Sequence, residues 1–493
     1  MKTINSVSIR AIEKNKNMLV HRSLFFVFLV SQVIFGQEKG LNLPDLGDRV
    51  SGVISLEQER VLGQGFLEQV YAQAPLINDP IIQEYTELLI YRLSETSQVK
   101  DRKYTIVLID EKSLNAFAAP GGVIGVNGGL FLNAGNEAQL ASVLSHELAH
   151  LSQRHFARNV LRGRDTNLAS SLVMVSAIAL AIVSNNPTAF VAGPAALQQQ
   201  QLRYSRMFER EADRYGFNNL IAAGYDPAGM GQMFENMAKV RKLAGDNPPE
   251  FLLTHPITSS RVSDAFNAAD QIEFTGGKKN TVNFEFVKGR LKAKYNNLSP
   301  QASARYFEKL YLDFPNNENK YAYIRALQAN GQTDRALDEI NEILNKYPKN
   351  LILNITKSEI LLSGKKFSDA QKNIDQILSI SPGNYPASII KSKILSAKKE
   401  FIKAEEILRD LLISNNRDPG LWIQLSEVQR AGKNIVGYHI SRGEYYMLIG
   451  DFDNALNQLR FALNLSGNSF QTAETIMTKI KLANERLGKR RGF

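Results

Sequence analysis

A period of 34 residues in the C-terminal part of the chain constrains the fold more than any other feature. Ala302, Ala336, Ala370 and Ala404 recur at that spacing, as do Leu310, Leu344, Leu378 and Leu412, and again Leu327, Leu361 and Leu395. Pro315, Pro348 and Pro382 follow at nearly the same interval. A unit of this length holds two short helices and a turn. No such pair buries its apolar face alone, so neighbouring units must stack. A small Ala at a fixed position lets paired helices approach closely. The pattern predicts an α-solenoid over residues 284–488, whose curved surface suits proteins or peptides. The register then slips: Gly450-Asp451-Phe452-Asp453-Asn454-Ala455-Leu456 looks like a repeat start, yet Ala455 lies 51 residues after Ala404. That calls for an extra helix around Trp422 to Ala431 or nearby.

The repeats leave a first half that must form a core of its own, since 493 residues exceed what one core holds. The polar, breaker-rich stretch 275–283 (TGGKKNTVN) reads as a linker, which places one domain at 37–274 and the repeats after it. Within 37–274, residues 55–99, 136–161, 200–222 and 228–244 carry helical periodicity. Residues 104–109 (YTIVLI) and the Gly-flanked Val123, Ile124, Gly125, Val126 and Asn127 read as a small sheet, the second segment as its edge. The fold class is therefore mostly α with a minor β component (α+β). Residues 168–183 and 188–197 are apolar but too short to span a bilayer. Across 168–197 they suggest a helical hairpin that covers the domain or makes peripheral membrane contact; an ordinary buried helix pair fits equally.

Residues 23–35 (SLFFVFLVSQVIF) have the length of a signal-peptide core, with Lys16 and Arg22 before them and the small Gly36 after. A signal peptide over 1–36 is expected, with Met18 as an alternative start and an uncleaved anchor as the alternative fate. The net charge is +10, but the basic residues are scattered apart from Lys489-Arg490-Arg491, and no basic stripe interleaves with aromatics. Nucleic acid is not an expected partner. The chain has no cysteine, so thiol catalysis, disulfides and thiolate metal sites are excluded. Any metal must be held by His and carboxylates.

That pattern is present. His146-Glu147-Leu148-Ala149-His150 puts two imidazoles one turn apart, about 40° around a helix, where both reach one ion. Glu147 between them is placed to take a proton from water at that ion. Two histidines need a third ligand and an open position. Glu209-Arg210-Glu211-Ala212-Asp213 supplies candidates: Glu209 as the ligand, Asp213 on the same face as acceptor for a ligand histidine's distal nitrogen, and Glu211 as the fallback ligand. His155 lies five residues past His150, about 140° around the same helix. It is expected to face away and serve a structural role at the helix end.

HELAH, EREAD, the upstream NAFAAPGG and the downstream GYDP together resemble the gluzincin metallopeptidases of the Ste24 and HtpX kind. The 34-residue units resemble tetratricopeptide repeats, which narrows the likeness to a periplasmic branch of that family. The resemblance implies a zincin-like domain holding one Zn2+ per chain through His146, His150 and Glu209, and endopeptidase activity. It also implies that Val123 to Asn127 receive substrate by strand addition. His255, in Leu253-Thr254-His255-Pro256, corresponds to a histidine that sits over the metal as a gate or faces the oxyanion. Further implied are the periplasm of a Gram-negative bacterium, unfolded or misassembled outer-membrane proteins as substrates, the outer-membrane assembly machinery as partner of the repeats, and a chaperone-like role. An adaptor acting through its repeats, with a latent peptidase site, is the competing reading.

Overall fold

The computed structural model describes residues 54–162, 206–245, 249–273, 276–467 and 469–491. The expected signal peptide (1–36) and apolar hairpin (168–197) lie outside them.

Helix α1 (Leu56–Gln73) begins with a capping box, Ser55 accepting from the Gln58 N–H and the Gln58 side chain accepting in return. Helix α2 (Pro80–Glu95) begins where Asp79 accepts from the Ile81 and Ile82 N–H groups, with Pro80 in the first turn. Three strands follow: β1 (Thr105–Ile109), β2 (Ala116–Ala119) and β3 (Val123–Asn127). Their order is β1-β3-β2, with β3 parallel to β1 and antiparallel to β2. This corrects the expectation for Val123 to Asn127, which form the central strand, with both edges paired. The physical reason is burial on both faces. Ile124 and Val126 join the main core, while Val123 packs with Leu62, Phe66 and Val70 of α1. A short apolar run with no polar alternation belongs inside a sheet, not at its rim. The edge next to the HELAH segment is β2, joined to β3 through Gly121 and Gly122 in the left-handed region (φ 73° and 79°).

Helix α3 (Gly128–Asn133) leads into α4 (Glu137–Ser152), capped by Asn136 and buried from Glu137 to His150. The periodicity read over 136–161 is broken. Arg154 adopts φ 51°, held there by Glu59 and by the Ile54 carbonyl, and a separate helix α5 (His155–Arg162) starts in a new direction. The first half continues with α6 (Arg206–Ala222), α7 (Ala228–Ala244), the short α8 (Glu250–Thr254) and α9 (Ser259–Asp270). The polar stretch read as a linker is pinned between its neighbours. Lys278 bridges Tyr225, the Lys279 carbonyl accepts from the Ala138 N–H, and Asn280 accepts from the Glu137 N–H.

Beyond it run α10 (Val282–Tyr295), α11 (Pro300–Asp313), α12 (Asn317–Ala329), α13 (Thr333–Lys346), α14 (Leu351–Ser363), α15 (Phe367–Ile380), α16 (Tyr385–Ala397), α17 (Phe401–Ser414), α18 (Pro419–Ala431), α19 (Ile435–Leu448), α20 (Phe452–Leu465) and α21 (Phe470–Arg491). Ala336, Ala370, Ala404 and Ala455 are fully buried, as a close helix crossing requires, whereas Ala302 on α11 is only half-buried. The Trp422–Ala431 segment lies in α18, which starts 34 residues after α16 and so keeps the register. So does α19, which starts 34 residues after α17; α20 starts 33 after α18 and α21 35 after α19. The expected extra helix is therefore absent from the described residues, and Ala455 falls on the other helix of its pair.

One hydrophobic core runs from the sheet through α4 and α10 to Ile394 of α16. Across this junction Arg290 of α10 is 4% exposed and bonds Asp79 at the start of α2 as well as both carboxylate oxygens of Glu359 in α14.

Candidate metal centre

Helices α4 and α6 cross where Gly216 faces the backbone of His146; a Cβ there would lie 3.0 Å from the His146 nitrogen. That close approach brings Glu209, two turns earlier on α6, against the two histidines of α4. The loop after α8 adds His255. Among the described residues, ligand atoms of His146, His150, Glu209 and His255 lie within 4.8 Å of one another, and all four side chains are buried.

Nε2 of His146 is 3.0 Å from Nε2 of His150. Glu209 stands 3.7 Å from the first and 3.5 Å from the second. Ligands about 2.0–2.2 Å from a tetrahedral cation are separated by roughly 3.3–3.6 Å; the three separations here bracket that range, the two imidazoles standing somewhat closer than a bound cation would set them. The fit extends to the protonation that His150 and Glu209 need as ligands. Burial holds His150 neutral, well below its usual range, an effect reinforced by the neighbouring histidines. Burial pushes the Glu209 carboxyl up, but His255, His146 and Arg261 outweigh it and keep it ionised.

Each ligand is held from behind. Asp213 Oδ1 is 3.0 Å from Nδ1 of His146, on the side of the ring away from the cluster. Burial raises the Asp213 carboxyl, yet His146 and the Arg261 guanidinium bring it to about 2. Arg261 grips both Asp213 oxygens at 2.7 Å and reaches Glu209 Oε2 at 2.8 Å. No sequence signal marked Arg261, since its partners are 48 and 52 residues away. Glu211 lies outside the four-residue cluster. His155 does not face away as expected: its Nδ1 is 2.9 Å from Nδ1 of His150. An offset of about 140° holds only along one continuous helix, and Arg154 breaks α4 from α5.

Glu147 lies beside the cluster, and the Ala118 backbone N–H of β2 donates to its carboxyl. Burial is the largest influence on that carboxyl and raises it, against the pull of His255 and His146. His255 stands between two carboxylates, with Nδ1 3.0 Å from Glu209 and Nε2 3.8 Å from Glu147. Burial lowers its basicity, but the two carboxylates win and leave it raised.

Residues 80–269 match Peptidase family M48, and all the residues of this cluster fall within them. The chain carries an M48 peptidase domain. Over 427 residues it is 28% identical to the beta-barrel assembly-enhancing protease of Escherichia coli K12, covering 85% of this chain and 86% of that one. It is 33% identical to the protein of the same name from Yersinia pestis, over 52% of this chain and 54% of that one. A more distant likeness, 30% over 34% of this chain and 32% of the other, is to a mitochondrial metalloendopeptidase OMA1 of Arabidopsis thaliana. The identity of the arm as a repeat rests on the helix pairs described above.

Proposed function

We propose that this protein is a zinc-dependent endopeptidase of the periplasm that degrades misassembled outer-membrane proteins and aids their assembly. The observation that carries this reading is the buried His146–His150–Glu209 cluster with Glu147 beside it and an edge strand within hydrogen-bonding reach. A zinc ion held by the three ligands supplies Lewis acidity and lowers the pKa of water. Glu147 takes the proton from the attacking water and delivers it to the departing amine as the peptide C–N bond breaks. Its raised carboxyl suits that exchange. Substrate in extended form adds to β2, whose Ala118 N–H already faces Glu147. Arg261 and Asp213 keep His146 and Glu209 in place between turnovers.

The location, the client proteins and docking of the arm on the assembly machinery are supported by the likeness to the assembly-enhancing proteases over 85% of the chain. No described helix is long and apolar enough to cross a membrane.

His255 occupies the remaining side of the cluster, which favours a site held latent at rest and so gives weight to the adaptor reading. Replacing His255 by Ala is expected to raise casein cleavage by the zinc-loaded protein roughly tenfold, the gain from freeing a site blocked in nine molecules of ten. Unchanged or reduced cleavage contradicts the gate and favours a role for His255 toward the oxyanion.

A further inference from the structure

We infer that His155 is a positioning residue for His150, completing a carboxylate–imidazole–imidazole line that starts at Glu211 and ends at the metal-binding edge of His150. This rests on the reading of His146, His150 and Glu209 as ligands, and it assigns a role to residues that reading leaves unused.

The two metal histidines are supported differently. His146 meets a carboxylate directly, Asp213 at 3.0 Å. Behind His150 stands a second imidazole. Nε2 of His150 points into the cluster, 3.0 Å from Nε2 of His146 and 3.5 Å from Glu209. A neutral His150 ligating through Nε2 carries its proton on Nδ1. The facing atom, 2.9 Å away, is Nδ1 of His155. Two nitrogens at that distance share one proton, so His155 accepts and its own proton sits on Nε2. That nitrogen lies 3.2 Å from Glu211 Oε2, which accepts. Every donor in the line therefore points the same way, and the tautomer of His150 follows from a carboxylate two groups away.

The line is fixed at each joint. His155 is fully buried and stacks on Phe208 with centroids 4.5 Å apart and planes 14° from parallel. Arg158, one turn further along α5, donates to the same Glu211 oxygen at 3.0 Å and places its guanidinium over the Phe208 ring, 4.6 Å from the centroid. The left-handed Arg154 is what turns α5 so that His155 points back.

The test is zinc affinity of the full chain, read by competition with a chromophoric chelator, together with the melting temperature of the metal-free protein. His155→Phe keeps the ring stack and removes the acceptor. His155→Asn places an oxygen near the position of Nδ1. The line predicts that His155→Phe weakens zinc binding roughly 10–100-fold with the metal-free melting temperature little changed, and that His155→Asn stays close to wild type. Wild-type affinity in His155→Phe overturns the proposal. So does equal weakening in both variants with a parallel loss of metal-free stability, which makes His155 a packing residue. Absence of stoichiometric zinc in the wild type removes the metal centre itself and is recognisable as that separate failure.

Discussion

Glu147→Gln lowers the rate of peptide cleavage by roughly 10²–10⁴-fold while zinc stays bound at one per chain, because the substitution removes a proton acceptor and leaves the ligands. The structure makes this separation sharp. Glu147 shares α4 with His146 and His150, yet its described partners are Ala118 and His255. Gln preserves its size and can still accept from the Ala118 N–H. A variant that loses zinc along with activity would show that Glu147 helps to bind the ion. Cleavage at the wild-type rate would place the proton transfer elsewhere. Retention of cellular function by an uncleaving variant would favour the adaptor reading, in which the arm does the work.

The second large effect lies far from the metal, at the junction of the M48 domain and the arm. Arg290→Met leaves Asp79 without its guanidinium and Glu359 with Arg325 as its hydrogen-bonded cation and the more distant Lys393. Breaking a buried ion pair by removing one partner costs about 3–5 kcal/mol, since the remaining charges stay desolvated. The melting temperature is expected to drop by roughly 3–5 °C in a unit of this size. Burial raises the Glu359 carboxyl, but Arg290 and Arg325 outweigh it and hold it well below its ordinary value of 4.5. A depressed folded-state pKa contributes stability that is complete above the ordinary value and lost as pH falls below it. The wild type should therefore lose stability below about pH 4.5 more steeply than Arg290→Met, whose Glu359 is less depressed. Equal melting temperatures for the two proteins would show that the junction is held by its apolar contacts alone.

How much of this was legible beforehand differs by type of signal. Spacings inside one helix translated directly: His146 and His150 converge, and Asp213 stands behind His146. The 34-residue period placed the buried Ala336, Ala370 and Ala404, because each repeat obeys the same local geometry. Features that depend on distant partners were not readable. Val123 to Asn127 looked like an edge because glycines flank it, and only the parallel pairing with Thr105 to Ile109 makes it central. His155 was misplaced because Arg154, a residue type that seldom takes positive φ, breaks the helix there under the hold of Glu59 and Ile54. Arg261 joins Asp213 and Glu209 from another helix, with no local pattern to announce it.

Zinc titration of the metal-free full chain is the experiment that probes the His146–His150–Glu209 cluster itself. One tight zinc per wild-type chain is expected, with loss of that site when Glu209 is replaced by Gln. No stoichiometric binding by the wild type, or undiminished binding by Glu209→Gln, would contradict it.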